Sequence, residues 1–147
     1  MSTQLQTKSL SASTITSSAA SALIDAVLAA AAETGFDVAV AVTDAGGHLK
    51  AFQRTDDTPF LAAEVAVDKA WTAVSYRVAT HVWNSYVANP SVAPLAHHPR
   101  LMAVGGGFPI TDNGTVIGGL GISGGTYEQD QQAAEAALGA LGFDIPA

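Results

Sequence analysis

Apolar residues recur along this chain in two rhythms. Between Ser13 and Thr34, the residues Ile15, Ala19, Ala22, Leu23, Ala26, Val27 and Ala30 fall on one stripe at helical spacing, and Gly35 stands where a helix-ending glycine belongs. Phe36 to Thr43 (FDVAVAVT) is short and β-branched, a strand buried on at least one face. Asp44-Ala45-Gly46-Gly47 is turn chemistry, and His48 to Arg54 alternates, with Leu49 and Ala51 set against Lys50 and Phe52. These two strands read as a β-hairpin. The helical rhythm returns after Pro59 and runs to about Ala79 along Phe60, Ala63, Val67, Ala70/Trp71, Val74 and Val78.

A short helix is expected from about His81 to Ala88. Asn89 to Arg100 holds three prolines and His97-His98 and reads as an irregular loop. Leu101 to Val104 opens a strand that resumes at Phe108 to Thr111. Asp112-Asn113-Gly114 is a hairpin turn, and Thr115 to Ile122 is the partner strand. The last helix covers Thr126 to Leu141, begun by the capping box Thr126-x-x-Gln129 and stopped at Gly142. The order is helix, hairpin, helix, helix, hairpin, helix. Strands paired in hairpins with helices between them predict an α+β fold with an antiparallel sheet. Residues 1–12 read as a loose arm and 13–147 as one domain.

Composition narrows the function classes. Of the 147 residues, 48% are hydrophobic and 13% charged, against roughly 25% charged in ordinary soluble domains. A short chain with so little charge has apolar surface to hide, which predicts a homo-oligomer. The net charge of −7, with six Lys and Arg, argues against nucleic acid and against an anionic membrane surface. With no cysteine, disulfides, thiolate catalysis and Cys-based zinc sites are excluded. The Ser/Thr-rich start does not read as a signal peptide, and a cytoplasmic location is expected.

Eight of the fourteen glycines fall in two stretches, Gly105 to Ile110 (GGGFPI) and Gly118 to Gly125 (GGLGISGG). Glycine inside a strand pattern marks a bulge or a close approach of backbone to something else, ligand or chain. Gly119 to Gly124 matches G-x-G-x-x-G, but the further strand and acidic residue of a dinucleotide fold do not follow. Ser123, Gly124 and Gly125 put backbone N–H groups at a helix start, a seat for a carboxylate or phosphate. Gly105, Gly106 and Gly107 with Phe108 and Pro109 make a candidate wall of bare backbone and apolar surface, the mixture of small-molecule pockets. The alternative is tight packing of another chain segment on the glycines.

Asp44 is either a turn residue or a catalytic carboxylate. Lys69 and Arg54 each call for an acidic partner in so apolar a chain, with Asp44, Asp56, Asp57, Asp68 and Asp130 as candidates. The four histidines form no metal signature, and Ser123 lies outside a G-x-S-x-G elbow.

Three segments together resemble the GlcG/HbpS family, also called the haem-degrading family and related to the C-terminal domain of PduO-type proteins. They are Val42 to Gly47 (VTDAGG) with Arg54, then Asp68 to Ala73 (DKAWTA), then the two glycine stretches with Asp130. The resemblance spans roughly residues 12–142. It implies a profilin-like α-β-α sandwich and a symmetric oligomer. Some members bind haem or a corrinoid, and many have no settled activity. Haem needs an axial ligand, commonly His, Met or Tyr where Cys is absent. His97 and His98, in the loop beside the glycine strand, are the first choice. The leading reading is therefore a small-molecule-binding protein, with haem as the cofactor implied and a glycine-lined pocket at or near a subunit interface. The alternative is a cofactor-free isomerase, lyase or hydrolase using Asp44, Lys69 or a loop histidine as acid/base. A purely structural assembly subunit is the third.

Overall fold

A computed structural model describes residues 3–145. Four helices and four strands follow the predicted order: α1 (Ser17–Thr34), β1 (Ala39–Asp44), β2 (Leu49–Arg54), α2 (Phe60–Tyr76), α3 (Trp83–Ala88), β3 (Gly107–Asp112), β4 (Thr115–Ser123) and α4 (Tyr127–Ala140). Single 3-10 turns cover Thr80–Val82 and Ala93–His97, the second inside the loop expected to be irregular. Leu101 to Val104 is not a strand. It lies as a loop, and β3 begins at Gly107.

The sheet order is β2-β1-β4-β3, antiparallel throughout. The two predicted hairpins therefore meet along β1 and β4. Pro109, which has no N–H to give a ladder, sits in the edge strand β3. The fold is α+β, a sheet between helical layers. On one face, Val38, Val40, Val42, Phe108, Ile110, Leu120 and Ile122 pack against α1 and α4. On the other, Ala39 and Ala41 meet Ala62, Ala66 and Ala70 of α2.

Both end helices are capped as their sequences require. Thr16 accepts from Ala19 N–H at the start of α1, and Gly35 ends it in the left-handed region at φ 76°. The Thr126–Gln129 capping box is formed at α4.

Two side-chain stripes differ from the periodicity reading. The buried face of α2 is Ala62, Ala66, Lys69, Ala70, Thr72, Ala73 and Val74, while Phe60 is 80% exposed. The sheet face opposite α2 is so closely approached that only small residues fit, and large apolar side chains turn outward. In β2, Val42 pairs with Ala51 but Thr43 pairs with Leu49, so Lys50 is an extra residue. This bulge shifts the side-chain parity, so Leu49 and Phe52 share a face instead of opposing one another.

Candidate functional site

Lys69 lies in the middle of α2 and points into the protein. It is 1% exposed and Asp130, from the first turn of α4, is 2% exposed. The Lys69 ammonium donates to the Ile122 carbonyl at 2.7 Å and to Asp130 Oδ2 at 3.1 Å. Asp130 Oδ1 accepts the Gly125 N–H at 3.0 Å. One buried ion pair thus joins α2, the end of β4 and the start of α4. Of the candidate acidic partners for Lys69, the structure selects Asp130. Burial pushes the Lys69 pKa below its ordinary value, against the pull of the Asp130 charge, and pushes Asp130 above its own, against the pull of Lys69 and Gly125.

Gly106 closes over this pair. Its φ is 116°, and a Cβ there would stand 2.7 Å from the Ile122 carbonyl, 2.8 Å from Asp130 Cβ and 2.9 Å from Lys69 Nζ. At Gly107 a Cβ would meet the Lys69 carbonyl at 2.7 Å, at Gly119 the Ala70 carbonyl and at Gly121 the Ala66 carbonyl. The glycine face is filled by α2 of the same chain. At the expected ligand wall of Gly105, Gly106, Gly107, Phe108 and Pro109, a Cβ on Gly106 or Gly107 would collide with atoms of this same chain, and all five residues are buried. Phe108 belongs to the core on the α1–α4 side.

The anion seat at Ser123, Gly124 and Gly125 is also occupied from within. The Gly125 N–H donates to Asp130, the Thr126 N–H to Gln129 Oε1 at 2.9 Å, and the Gln129 N–H to Thr126 Oγ1 at 3.2 Å. The sequence predicts a seat here for a ligand's carboxylate or phosphate, and the carboxylate that Gly125 meets is the chain's own Asp130. Gly124, at φ 127°, would put a Cβ 2.5 Å from the Asp37 carbonyl. Asp44 and Lys69 are not brought together. Val40 pairs with Ile122, whose carbonyl Lys69 holds, and Asp44 lies four residues further along β1, about 13 Å away at ~3.3 Å per residue.

Asp44 organises its turn. Its Oδ1 accepts the N–H groups of Gly46 at 2.9 Å and His48 at 3.0 Å. Burial works to raise its pKa, but the amides of His48 and Gly46, with the His48 ring, outweigh this and hold it below the ordinary value. His48 Nδ1 stands 3.3 Å from the same Oδ1, with its side chain 83% exposed. The carboxylate faces the Nδ1 edge of this exposed ring, and among the described residues the ring has no other polar partner.

His98 is the reverse. Its Nδ1 accepts the Arg100 N–H at 3.1 Å, so in the neutral ring the proton sits on Nε2. The ring stacks on Trp71 with centroids 5.4 Å apart, and the Arg100 guanidinium lies 4.7 Å from the Trp71 centroid while pairing with Asp68 at 3.1 Å. His97 is exposed at the end of its 3-10 turn. Arg54 is exposed at the end of β2, and among the described residues it has no carboxylate within 4.0 Å.

Comparison with known proteins places this arrangement. Residues 15–139 match the family described as haem degrading protein HbpS-like. The chain belongs to the HbpS-like family. It is 40% identical over 134 residues to an uncharacterised 15.0 kDa protein from the dhaT–dhaS intergenic region of Citrobacter freundii, covering 89% of this chain and 94% of that one. It is 38% identical over 104 residues to the protein GlcG of Escherichia coli, covering 71% of this chain and 77% of GlcG. The corrinoid adenosyltransferase PduO of C. freundii is 37% identical over 123 residues, which are 81% of this chain but 36% of PduO. Among crystal structures, Klebsiella pneumoniae ORFY superposes with a TM-score of 0.88 at 35% identity over 95% of this chain and 98% of that one. A PduOC–haem complex superposes at 0.83 with 31% identity over 91% of this chain and 99% of that one.

One open apolar surface of this HbpS-like chain lies beside His48. Leu49, Phe52, Ala63 and Val67 line a groove of about 570 Å³, with Glu64 and Asp68 on its rim. Phe60 and Leu61 are 80% and 63% exposed. Sequence periodicity missed this surface because it assigned Leu49 and Phe52 to opposite faces and Phe60 to the core. The spacing Asp44-x-x-x-His48 across a Gly-Gly turn was the available signal. Among the described residues no cluster of three metal-ligating side chains occurs, and no helix is long and apolar enough to cross a membrane.

Proposed function

We propose that this HbpS-like chain binds haem or a related tetrapyrrole at His48, with the macrocycle against the Leu49–Phe52–Val67 groove and a second copy closing over it. The observation that carries the reading is the His48 ring: it is exposed, its Nδ1 faces Asp44, and its Nε2 is free to ligate iron. The groove begins at the next residue and offers the apolar area that a flat macrocycle needs. Lys50, exposed on the bulge, supplies a cation for a propionate. His98 is displaced from first place, since the Arg100 amide claims its Nδ1 and fixes the wrong tautomer for ligation by Nε2, and His97 follows it because among the described residues it has no carboxylate within 4.0 Å to orient its ring. Support also comes from the PduOC relative, whose haem complex has the same fold. Haem supplies iron for ligation or redox chemistry when bound; the chain supplies the imidazole, the carboxylate that orients it, and the apolar wall.

Haemin titration followed at the Soret band tests this. Saturable binding is expected, with at least a tenfold loss of affinity in His48→Ala and little change in His97→Ala/His98→Ala. Absence of saturation, or equal affinity in His48→Ala, would remove His48 as the ligand.

A further inference from the structure

A second cavity lies at the other side of the same turn, and the haem reading does not use it. Its volume is about 720 Å³, and its lining includes Ser13, Trp71, Val74, Ser75, Arg77 and Thr115. The N-terminal segment is tied down where it crosses: Thr14 Oγ1 accepts the Ala45 N–H at 3.0 Å, and the Ile15 N–H donates to the Ile117 carbonyl at 2.9 Å. The Trp71 wall is fixed by stacking on His98 and by Arg100, whose carbonyl and Nε are held by Thr72 and Asp68.

Arg77 decides the chemistry. The chain has six Lys and Arg against thirteen Asp and Glu. Lys69 and Arg100 are paired, whereas among the described residues Lys8, Lys50, Arg54 and the exposed Arg77 have no carboxylate within 4.0 Å, and of these four Arg77 lines the cavity. Arg77 also ends α2 at φ 59°, ψ 34°, a position that ordinarily takes glycine. A side chain held in the left-handed region is strained, and such strain persists where the surroundings or a ligand use the residue. The chain therefore keeps an unpaired guanidinium, at a conformational cost, on the wall of a cavity lined with hydroxyls and one fixed aromatic ring.

We propose that this cavity binds a small organic anion, its carboxylate or phosphate group held by Arg77, its body against Trp71 and Val74, and its polar groups met by Ser13, Ser75 and Thr115. A planar guanidinium suits either anion through paired N–H donors.

Isothermal titration with sodium benzoate, sodium gluconate and inorganic phosphate tests the site and sorts the anion. Saturable heat is expected from at least one organic salt, with affinity falling at least tenfold in Arg77→Gly. That variant relieves the positive φ, so its melting temperature should equal or exceed that of the parent chain. Arg77→Asn, neutral and tolerant of the same φ, should lose binding equally. Haemin binding should persist in both variants, which separates this site from His48. No saturable heat from any of the three salts overturns the proposal. So does unchanged affinity in Arg77→Gly and Arg77→Asn, or binding of phosphate alone, which would reduce the site to bare charge.

Discussion

Lys69 shows how far a residue's role depends on what stands opposite it. Its ammonium is buried among an aspartate, a carbonyl and a glycine that leaves room for it. With no open path for a substrate, its geometry is that of a tie between α2 and the start of α4. Burial shifts both partners toward their neutral forms, the direction expected when desolvation of a close pair competes with mutual attraction. Removing one partner strands the other without compensation, at a cost of about 3–5 kcal/mol. Lys69→Ala should therefore lower unfolding free energy by that much in urea, and Lys69→Met combined with Asp130→Leu should recover part of the loss. A loss in Lys69→Ala below ~1 kcal/mol, the range of exposed pairs, would show that water reaches the pair in solution.

At the scale of elements, the glycines of β3 and β4 and the alanines of α2 are one feature. Gly119 and Gly121 face α2, and added Cβ atoms would collide with the carbonyls of Ala70 and Ala66. Helix and sheet therefore approach with backbone almost against backbone. The pairing explains why α2 spends Ala62, Ala66 and Ala70 on the interface and turns Phe60 and Leu61 outward. Gly121→Ala should push α2 from the sheet and cost about 3 kcal/mol, the upper range for overpacking. Equilibrium urea unfolding checks it; a change within ~0.5 kcal/mol, as at unconstrained positions, would mean that α2 rides outward freely.

At the scale of the molecule, the outward apolar residues become the question. Leu49, Phe52, Phe60 and Leu61 are 54%, 41%, 80% and 63% exposed, and all four lie on α2 or on β2, the strand flanking it. A chain with mean hydropathy +0.27 has few charges with which to keep such a surface soluble. Light scattering is expected to give a mass well above the 14.9 kDa of one chain. Phe60→Ser/Leu61→Ser should lower that mass if this surface is the contact. A monomer at micromolar concentration would sink both the assembly and the idea of a second copy closing over the groove proposed for haem.

Local signals carried the fold. Helix periodicity, the caps at Thr16, Gly35 and Thr126, and the turns at Asp44 and Asn113 depend on neighbours within a few residues, and those neighbours are in the sequence. The three motifs also sufficed to identify the HbpS-like family. The site was legible only in part. The sequence could mark Gly106 and Gly121 as places of close approach, but a ligand and a helix make the same demand on a missing Cβ. Only the packing of α2 on β4 decided between them. Asp44 and Lys69 read as potential partners until strand register set them apart and put Asp130, 61 residues from Lys69, against the ammonium. Which nitrogen of a histidine is free likewise depends on the group facing the other, and for His48 and His98 that group is fixed by the folded turn and loop.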